Sequence, residues 1–449
     1  MKSQAALVAY RALSDVAAKS TVFLITVLAA RRLSAEAFGV FALGSTIGWI
    51  AAVASDFGLQ LHLARTVARR PHDADALLRT WLRMRLGMAA LAVVVVLTAL
   101  IWLDAAQPFT AAILLFTLAY VASGLVEFLH YVYRGLSRSD VESTLTLGHR
   151  LATLAFALVA LTWWTDPAML AAGMLLPAIA TFIYSLRRAR QLVRASALET
   201  ARRPTGPILP SVRSHDAYAS NGEARHSADS PKAADPPEPS LRIEFQRDVF
   251  PIGAGIVLSA LYLRIDVFLI ELWRGTTAVG LYNAVFRLVE ALRLFPAAVL
   301  AVTLPALCRT TTLRPLARVS LAVSLFAAAA SAVLWMCAGW LIPQLYGPAY
   351  ADAVPAFRIL LFSFPLMSLN YALTHQLIGW NGHRVYAGVC AAALVFNVTL
   401  NAWLVPALSI AGAAWATFWT EVLLTGGCAA ALWASATRAS AEPVSVAGT

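Results

Sequence analysis

Runs of mostly apolar residues follow one another along the chain. They cover 14–33, 38–60, 84–103, 108–133, 143–164, 167–187, 248–272, 278–306, 316–342, 353–379, 384–405 and 410–434. A helix needs about 20 such residues to cross the hydrocarbon core of a bilayer. The pattern therefore predicts an all-α polytopic membrane protein with about twelve spans. Residues 188–247 break it: Arg202-Arg203-Pro204, Asn221-Gly222 and Pro236-Pro237-Glu238-Pro239 stand there without apolar periodicity, the composition of a disordered tether. The expected organisation is a six-helix lobe over 1–187, a disordered cytoplasmic linker over 188–247, a second six-helix lobe over 248–437 and a cytoplasmic tail over 438–449. The apolar stretch at 22–30 mimics a signal peptide, but Arg31-Arg32 breaks the cleavage pattern, so it reads as an uncleaved first span.

Positive charge falls on one side of these spans. With the N-terminus inside, the outward connections hold Asp104, Asp166, Arg274, Asp352 and the turn at 404–409. The inward ones hold Arg65, Arg69, Arg70 and Arg79, then Arg134 and Arg138, then Arg187, Arg188, Arg190 and Arg194, then Arg309, Arg314 and Arg318, then Arg384. Inner-side loops of membrane proteins carry such an excess, so a multi-pass protein with both termini cytoplasmic is expected. Arg31-Arg32 is the contrary pair, to be accounted for by snorkelling or by a polar cavity.

The two halves repeat. Ala37-Phe38-Gly39-Val40-Phe41 matches Ala278-Val279-Gly280-Leu281-Tyr282; Leu154, Phe156 and Trp163 match Leu394, Phe396 and Trp403; Pro167-Ala168 matches Pro406-Ala407. All three places share an offset of about 240 residues, the mark of a duplication. With an even number of spans per half, both copies enter the membrane in the same direction. That predicts two lobes related by a pseudo-twofold axis along the membrane normal, with a cleft between them.

Composition excludes other classes. Of 449 residues, 59% are hydrophobic and 13% charged, with a mean hydropathy of +0.69; a soluble domain carries roughly 25% charged residues. The net charge of +11 sits in loops between apolar runs, which argues against a nucleic-acid partner. Cys308, Cys337, Cys390 and Cys428 form no CxxC pair, so neither a metal site nor a disulfide framework is expected. Asp73-Ala74-Asp75 has the look of a sugar-nucleotide motif but reads as a solvated loop. Gly253-Ala254-Gly255 lacks the lysine of a phosphate loop and reads as a point of close helix approach or a helix interruption.

Ionisable residues inside spans are costly and therefore informative. Arg287, Glu290 and Arg293 are spaced i, i+3 and i+6 and share one helix face, which is expected to line a cavity with Glu290 neutralising an arginine. Arg264 and Asp266 point about 200° apart and need different partners. Asp56 lies near the inner end of the second span, where an arginine such as Arg65 could pair with it. Glu127 and His130, with Arg134 a turn beyond, suggest a polar cavity face or a proton-sensitive pair rather than a metal site. His375 with Asn370, and Glu421, are weaker candidates of the same kind.

Arg31-Arg32-Leu33 through Phe38-Gly39-Val40-Phe41-Ala42-Leu43, followed by Asp56-Phe57-Gly58-Leu59, resembles the start of the polysaccharide-biosynthesis flippases, the O-antigen and exopolysaccharide exporters of the MOP superfamily. Arg264 to Ile270 with Val279-Gly280-Leu281-Tyr282-Asn283-Ala284, Leu304-Pro305-Ala306-Leu307, Tyr346-Gly347-Pro348-Ala349-Tyr350, and Asn397 with Asn401 resemble its later landmarks. The resemblance implies a two-lobed flippase, not an enzyme and without a cofactor, in the bacterial cytoplasmic (inner) membrane. Such a protein carries a polyprenyl-diphosphate-linked oligosaccharide outward by alternating access. Its expected partners are that substrate, membrane lipid, and a polysaccharide polymerase with its chain-length machinery. Under that implication Arg287, Arg293 and Arg264 are the substrate-binding candidates. Asp56, Asp266, Glu290, Glu127 and His130 are the candidates for ion coupling or charge pairing. A MATE-like exporter of small molecules and a membrane glycosyltransferase or polymerase are the alternatives.

Overall fold

The computed structural model describes residues 4–70, 73–103, 109–202, 249–307, 313–380 and 382–441. The helices described are α1 (Gln4–Arg32), α2 (Ala35–Asp56), α3 (Leu59–Arg69), α4 (Ala74–Leu103), α5 (Thr110–Gly135), α6 (Ser139–Trp163), α7 (Pro167–Arg202), α8 (Phe250–Leu292), α9 (Leu294–Leu307), α10 (Arg314–Tyr346), α11 (Val354–Gly379), α12 (His383–Leu408) and α13 (Ile410–Ala441), with a 3-10 turn over Pro348–Ala353. Nine segments among the described residues are long and apolar enough to cross a membrane. Large apolar side chains such as Leu91, Val94, Leu321, Leu325 and Met336 stand exposed on α4 and α10, as a hydrocarbon solvent demands.

Local chemistry sets the ends of these elements. Ser34 caps α2 by accepting from the Ala37 amide at 3.1 Å, a short polar side chain satisfying one of a helix's orphan donors. At the other end Phe57 (φ 45°) and Gly58 (φ 79°) turn left-handed and separate α2 from α3. The amphipathic α3 buries Leu59, Leu63 and Val67, spaced four apart, against α4 and α5. The sequence pattern missed α3 because so short a stripe never approaches span length. Two spans merge in α8 around Gly275 (φ 77°, ψ 176°). A straight helix would hold Asp266 and Tyr282 about 24 Å apart, yet the tyrosine hydroxyl donates to the carboxylate at 2.5 Å. The chain therefore reverses at Gly275. The second of these spans breaks again at Arg293, before α9, where Pro296 cannot donate back to Leu292.

Two boundaries differ from expectation. The linker was expected from residue 188, but α7 runs on to Arg202. At 36 residues it reaches about 54 Å, well past a bilayer core, and its overhang buries Ala189 and Val193 against α3, α4 and α5. Those apolar positions sit among arginines and so escape a composition test. Likewise α13 takes in residues 438–441, the start of the expected tail. Residues 203–247 and 442–449 lie outside the described residues.

The lobes meet at the Phe57 end of α2, where Gly253 of α8 packs on the Phe57 carbonyl and Phe250 lies 5.7 Å from the Phe57 ring, and again at the arginine-poor end. Gly39 of α2 packs on the Thr276 carbonyl of α8, with no room for a Cβ. A Cβ on Gly280 would lie 3.0 Å from the Ala35 carbonyl oxygen and 3.3 Å from the Gly39 Cα. The two repeated glycines thus touch one another, as equivalent residues near a pseudo-twofold axis must. Phe38 meets Tyr350 edge-on at 5.7 Å. Arg31, the pair member that opposed the charge pattern, donates from Nε to the Leu345 carbonyl at 2.8 Å and from Nη2 to that of Gln344. It caps the carbonyl end of α10 across the lobe boundary, where a helix carries partial negative charge. Trp102, Trp163, Trp340 and Trp403 are exposed near the same end, an aromatic belt of the kind found at bilayer interfaces. Gly39→Val should wedge this seam apart: spin-label distances between the lobes there lengthen, and stability falls by about 1–3 kcal/mol. Unchanged distances and melting would place the seam elsewhere.

Candidate functional site

Between the lobes, in the arginine-rich half, lies a cavity of two connected compartments of about 560 and 420 Å³. Each is within the range of about 300–1,000 Å³ typical of ligand sites. The larger is lined by Arg287, Glu290 and Arg293, so the i, i+3, i+6 stripe faces the cavity as its spacing predicts. Glu127 and His130 of α5 line it from the first lobe, with Arg134, Glu142, His149 and Arg150. Asp56 lines the smaller compartment, together with Arg85, Glu127 and Arg287.

The carboxylates are committed to arginines. Glu290 Oε2 takes Arg287 Nη1 at 2.9 Å and Arg264 Nη2 at 2.7 Å. Arg264 is 3% exposed, lies over the Phe286 ring at 4.6 Å and does not line the cavity. It sits behind Glu290 and fixes it. Asp266 turns the other way, as the 200° separation requires, and accepts from Tyr282, whose hydroxyl lies 3.1 Å from that of Thr417. It too is remote from the cavity. Asp56 pairs with Arg85, Nε to Oδ1 3.6 Å, and accepts the Gly58 amide at 3.2 Å. Arg85 also donates to Ser55 and to the Ala52 carbonyl. The expected partner was Arg65, which α3 holds exposed on the opposite side of its buried stripe. Arg85 went unnoticed because it stands at the edge of an apolar run. Glu127 takes Arg150 at 3.3 Å and Glu142 takes Arg134 at 2.5 Å. His130 Nδ1 lies 3.4 Å from the Thr146 hydroxyl.

Two cavity cations make no ion pair within 4 Å among the described residues: Lys19 of α1 and Arg293 at the α8–α9 break. They belong to opposite lobes. Lys19 was not singled out from the sequence, although a lone lysine inside an apolar run is a readable signal. Asn370 donates to Glu421 at 2.7 Å, and His375 contacts the Tyr371 carbonyl; neither Glu421 nor His375 lines the cavity. Asp75 pairs with Arg79 in the first turn of α4, an ordinary helix-start arrangement. Among the described residues no group of three or more His, Cys, Asp or Glu converges as a metal site would require.

Residues 6–208 match the family described as polysaccharide biosynthesis protein. The match spans 203 of the 449 residues, and over the whole chain the fold resembles that of MOP-superfamily structures. The fold is similar to an inward-facing MATE-family multidrug transporter of that superfamily, at 14% identity, TM-score 0.62, covering 94% of this chain and 95% of the other. It is similar to the lipid II flippase MurJ in an inward closed conformation, at 11% identity, TM-score 0.54, covering 95% and 90%. A third likeness is a MOP transporter from Pyrococcus furiosus described as having a binding pocket of reversed polarity, at 13% identity, TM-score 0.54, covering 97% and 96%. None of the curated proteins matches the sequence. The likenesses are to polysaccharide-biosynthesis proteins over the first lobe and to membrane transporters and flippases in fold.

Removing one partner of a buried pair strands the other charge, at a cost of about 3–5 kcal/mol. Arg85→Ala should therefore destabilise the detergent-solubilised protein strongly, while the paired change Arg85→Met with Asp56→Leu recovers most of the loss. Thermal unfolding measures both; a mild Arg85→Ala phenotype would mean that the pair carries no such constraint.

Proposed function

We propose that the protein is a flippase that moves a polyprenyl-diphosphate-linked oligosaccharide from the cytoplasmic to the outer leaflet of the inner membrane. The observation that carries this reading is the pair of uncommitted cations, Lys19 and Arg293, facing one cavity from opposite lobes. A diphosphate cannot enter hydrocarbon bare, because burying unpaired charge costs many times the thermal energy. Charge-assisted hydrogen bonds from lysine and arginine offset that cost, and Arg287, half committed to Glu290, stands beside them. The positive-side rule makes the arginine-rich half cytoplasmic, which puts the cavity on the side where a lipid-linked glycan is made. Rocking of the lobes about the glycine seam would then expose the headgroup to the other side.

The reading also sorts the sequence-derived candidates. Arg287 and Arg293 contact the headgroup, whereas Arg264 acts through Glu290 as a positioning residue. Asp56, Glu127 and Glu290 hold arginines in place, and His130 packs beside them. A MATE-like exporter of organic cations is less well supported, because each carboxylate lining the cavity has an arginine partner.

Lys19→Ala combined with Arg293→Ala should abolish export of surface polysaccharide at normal protein abundance, with lipid-linked precursor accumulating on the inner leaflet. Arg287→Ala should reduce export less. Normal surface glycan in the double variant would sink the assignment. Drug sensitivity of a deletion strain with intact glycan would favour the exporter.

A further inference from the structure

The cavity holds polar groups that the diphosphate does not occupy. Trp49 of α2 is half-buried, lines both compartments and, among the described residues, stacks on no other ring. Its direction follows from the residue before it. Gly48 packs against the Phe116 carbonyl and Tyr120 Cβ of α5, and one residue further on a helix turns about 100°, away from α5 and into the cavity. Gln60, at the start of α3, lines both compartments, and Tyr120 of α5 lines the smaller one. Among the described residues neither the Gln60 side-chain amide nor the Tyr120 hydroxyl has a hydrogen-bond partner, while the Gln60 backbone N–H donates to Asp56. Among the described residues Glu127 commits only Oε1, to Arg150, and leaves Oε2 without a partner. All four residues belong to the first lobe.

An aromatic face beside an amide, a hydroxyl and a carboxylate oxygen is a poor setting for phosphate and a good one for a sugar ring. A pyranose offers an apolar C–H face that covers an indole, and pairs of hydroxyls that both donate and accept. We propose that Trp49, Gln60, Tyr120 and Glu127 form a sugar-recognition subsite, and that it sets which lipid-linked glycan is accepted. The substrate then lies with its diphosphate between Lys19 and Arg293 in the larger compartment and its first sugars in the smaller, against the first lobe. This rests on the flippase reading and assigns the part of the substrate that the cations do not see. Lipid and diphosphate are common to all such substrates, so discrimination has to come from the sugars.

The test uses the full-length protein in nanodiscs and two probes: undecaprenyl diphosphate, and undecaprenyl diphosphate bearing one N-acetylglucosamine. Wild type should bind the glycosylated lipid about tenfold more tightly, since one stacked ring with its hydrogen bonds is worth roughly 1–2 kcal/mol. Trp49→Ala and Gln60→Ala should bring the glycosylated lipid down to the affinity of the bare lipid and leave the bare lipid unmoved, which also shows that the variants are folded. Trp49→Phe should keep most of the preference. Lys19→Ala with Arg293→Ala should weaken both probes alike. Equal wild-type affinity for the two probes, or a Trp49→Ala that weakens both together, overturns the subsite and leaves the flippase reading standing. Binding of neither probe by wild type overturns both.

Discussion

The contact between Gly39 and Gly280 governs the architecture. Two helices can approach until backbone meets backbone only where neither carries a side chain, and small residues serve this purpose in membranes, where no hydrophobic force drives helices together. These two glycines are the same position of a repeated motif, so this contact between lobes is also a contact between copies. Everything at that end follows: Phe38 and Tyr350 fill the flanks, and Arg31 reaches across to the carbonyls of α10. Arg274 stands six residues before Gly280, two residues nearer than Arg31 stands to Gly39. It turns instead to the Val405 and Pro406 carbonyls of α12, within its own lobe. One arginine staples the lobes together and the other closes a single lobe, so sequence symmetry does not extend to the latch.

The arginine-rich half is held by a different force. Its charges are too costly to leave unpaired in low dielectric, and the helices are arranged so that almost every carboxylate meets a guanidinium. Asp56 with Arg85 ties α2 to α4, Glu127 with Arg150 ties α5 to α6, and Glu290 gathers Arg264 and Arg287 across the hairpin that turns at Gly275. These pairs occupy walls of the cavity, so the interactions that fix the helices also fix the field inside it. The substrate-binding candidates named from sequence, Arg264, Arg287 and Arg293, all lie in the second lobe. Lys19, Arg85, Arg134 and Arg150 add cations to the cavity wall from the first lobe.

Helices and repeat were legible because apolar length and motif spacing are one-dimensional. The cavity face of Arg287, Glu290 and Arg293 was legible for the same reason, since helical periodicity alone decides which residues share a side. Pairing was not legible. Arg85 and Asp56 lie 29 positions apart, and only the left-handed turn at Phe57-Gly58 brings α2 back against α4. Arg264 looked equivalent to Arg287 in sequence because both are arginines within spans. The reversal at Gly275 puts one behind Glu290 and the other in front of it. Trp49 gave no signal, because an indole inside an apolar run is indistinguishable from one that faces lipid.

Under the flippase reading, the same two cations would separate the empty and loaded states. Closing the arginine-rich half would bring Lys19 and Arg293 together from opposite lobes, and like charges at about 4 Å cost roughly 4 kcal/mol at an effective dielectric near 20. A diphosphate between them would replace that repulsion with two attractions. Only a differential interaction of this sort lets a ligand shift a conformational equilibrium. The carboxylates beside them cannot substitute for the anion, because their arginines already hold them against the walls. The pairing that stabilises the cavity therefore also keeps it responsive, by leaving one unpaired cation on each lobe.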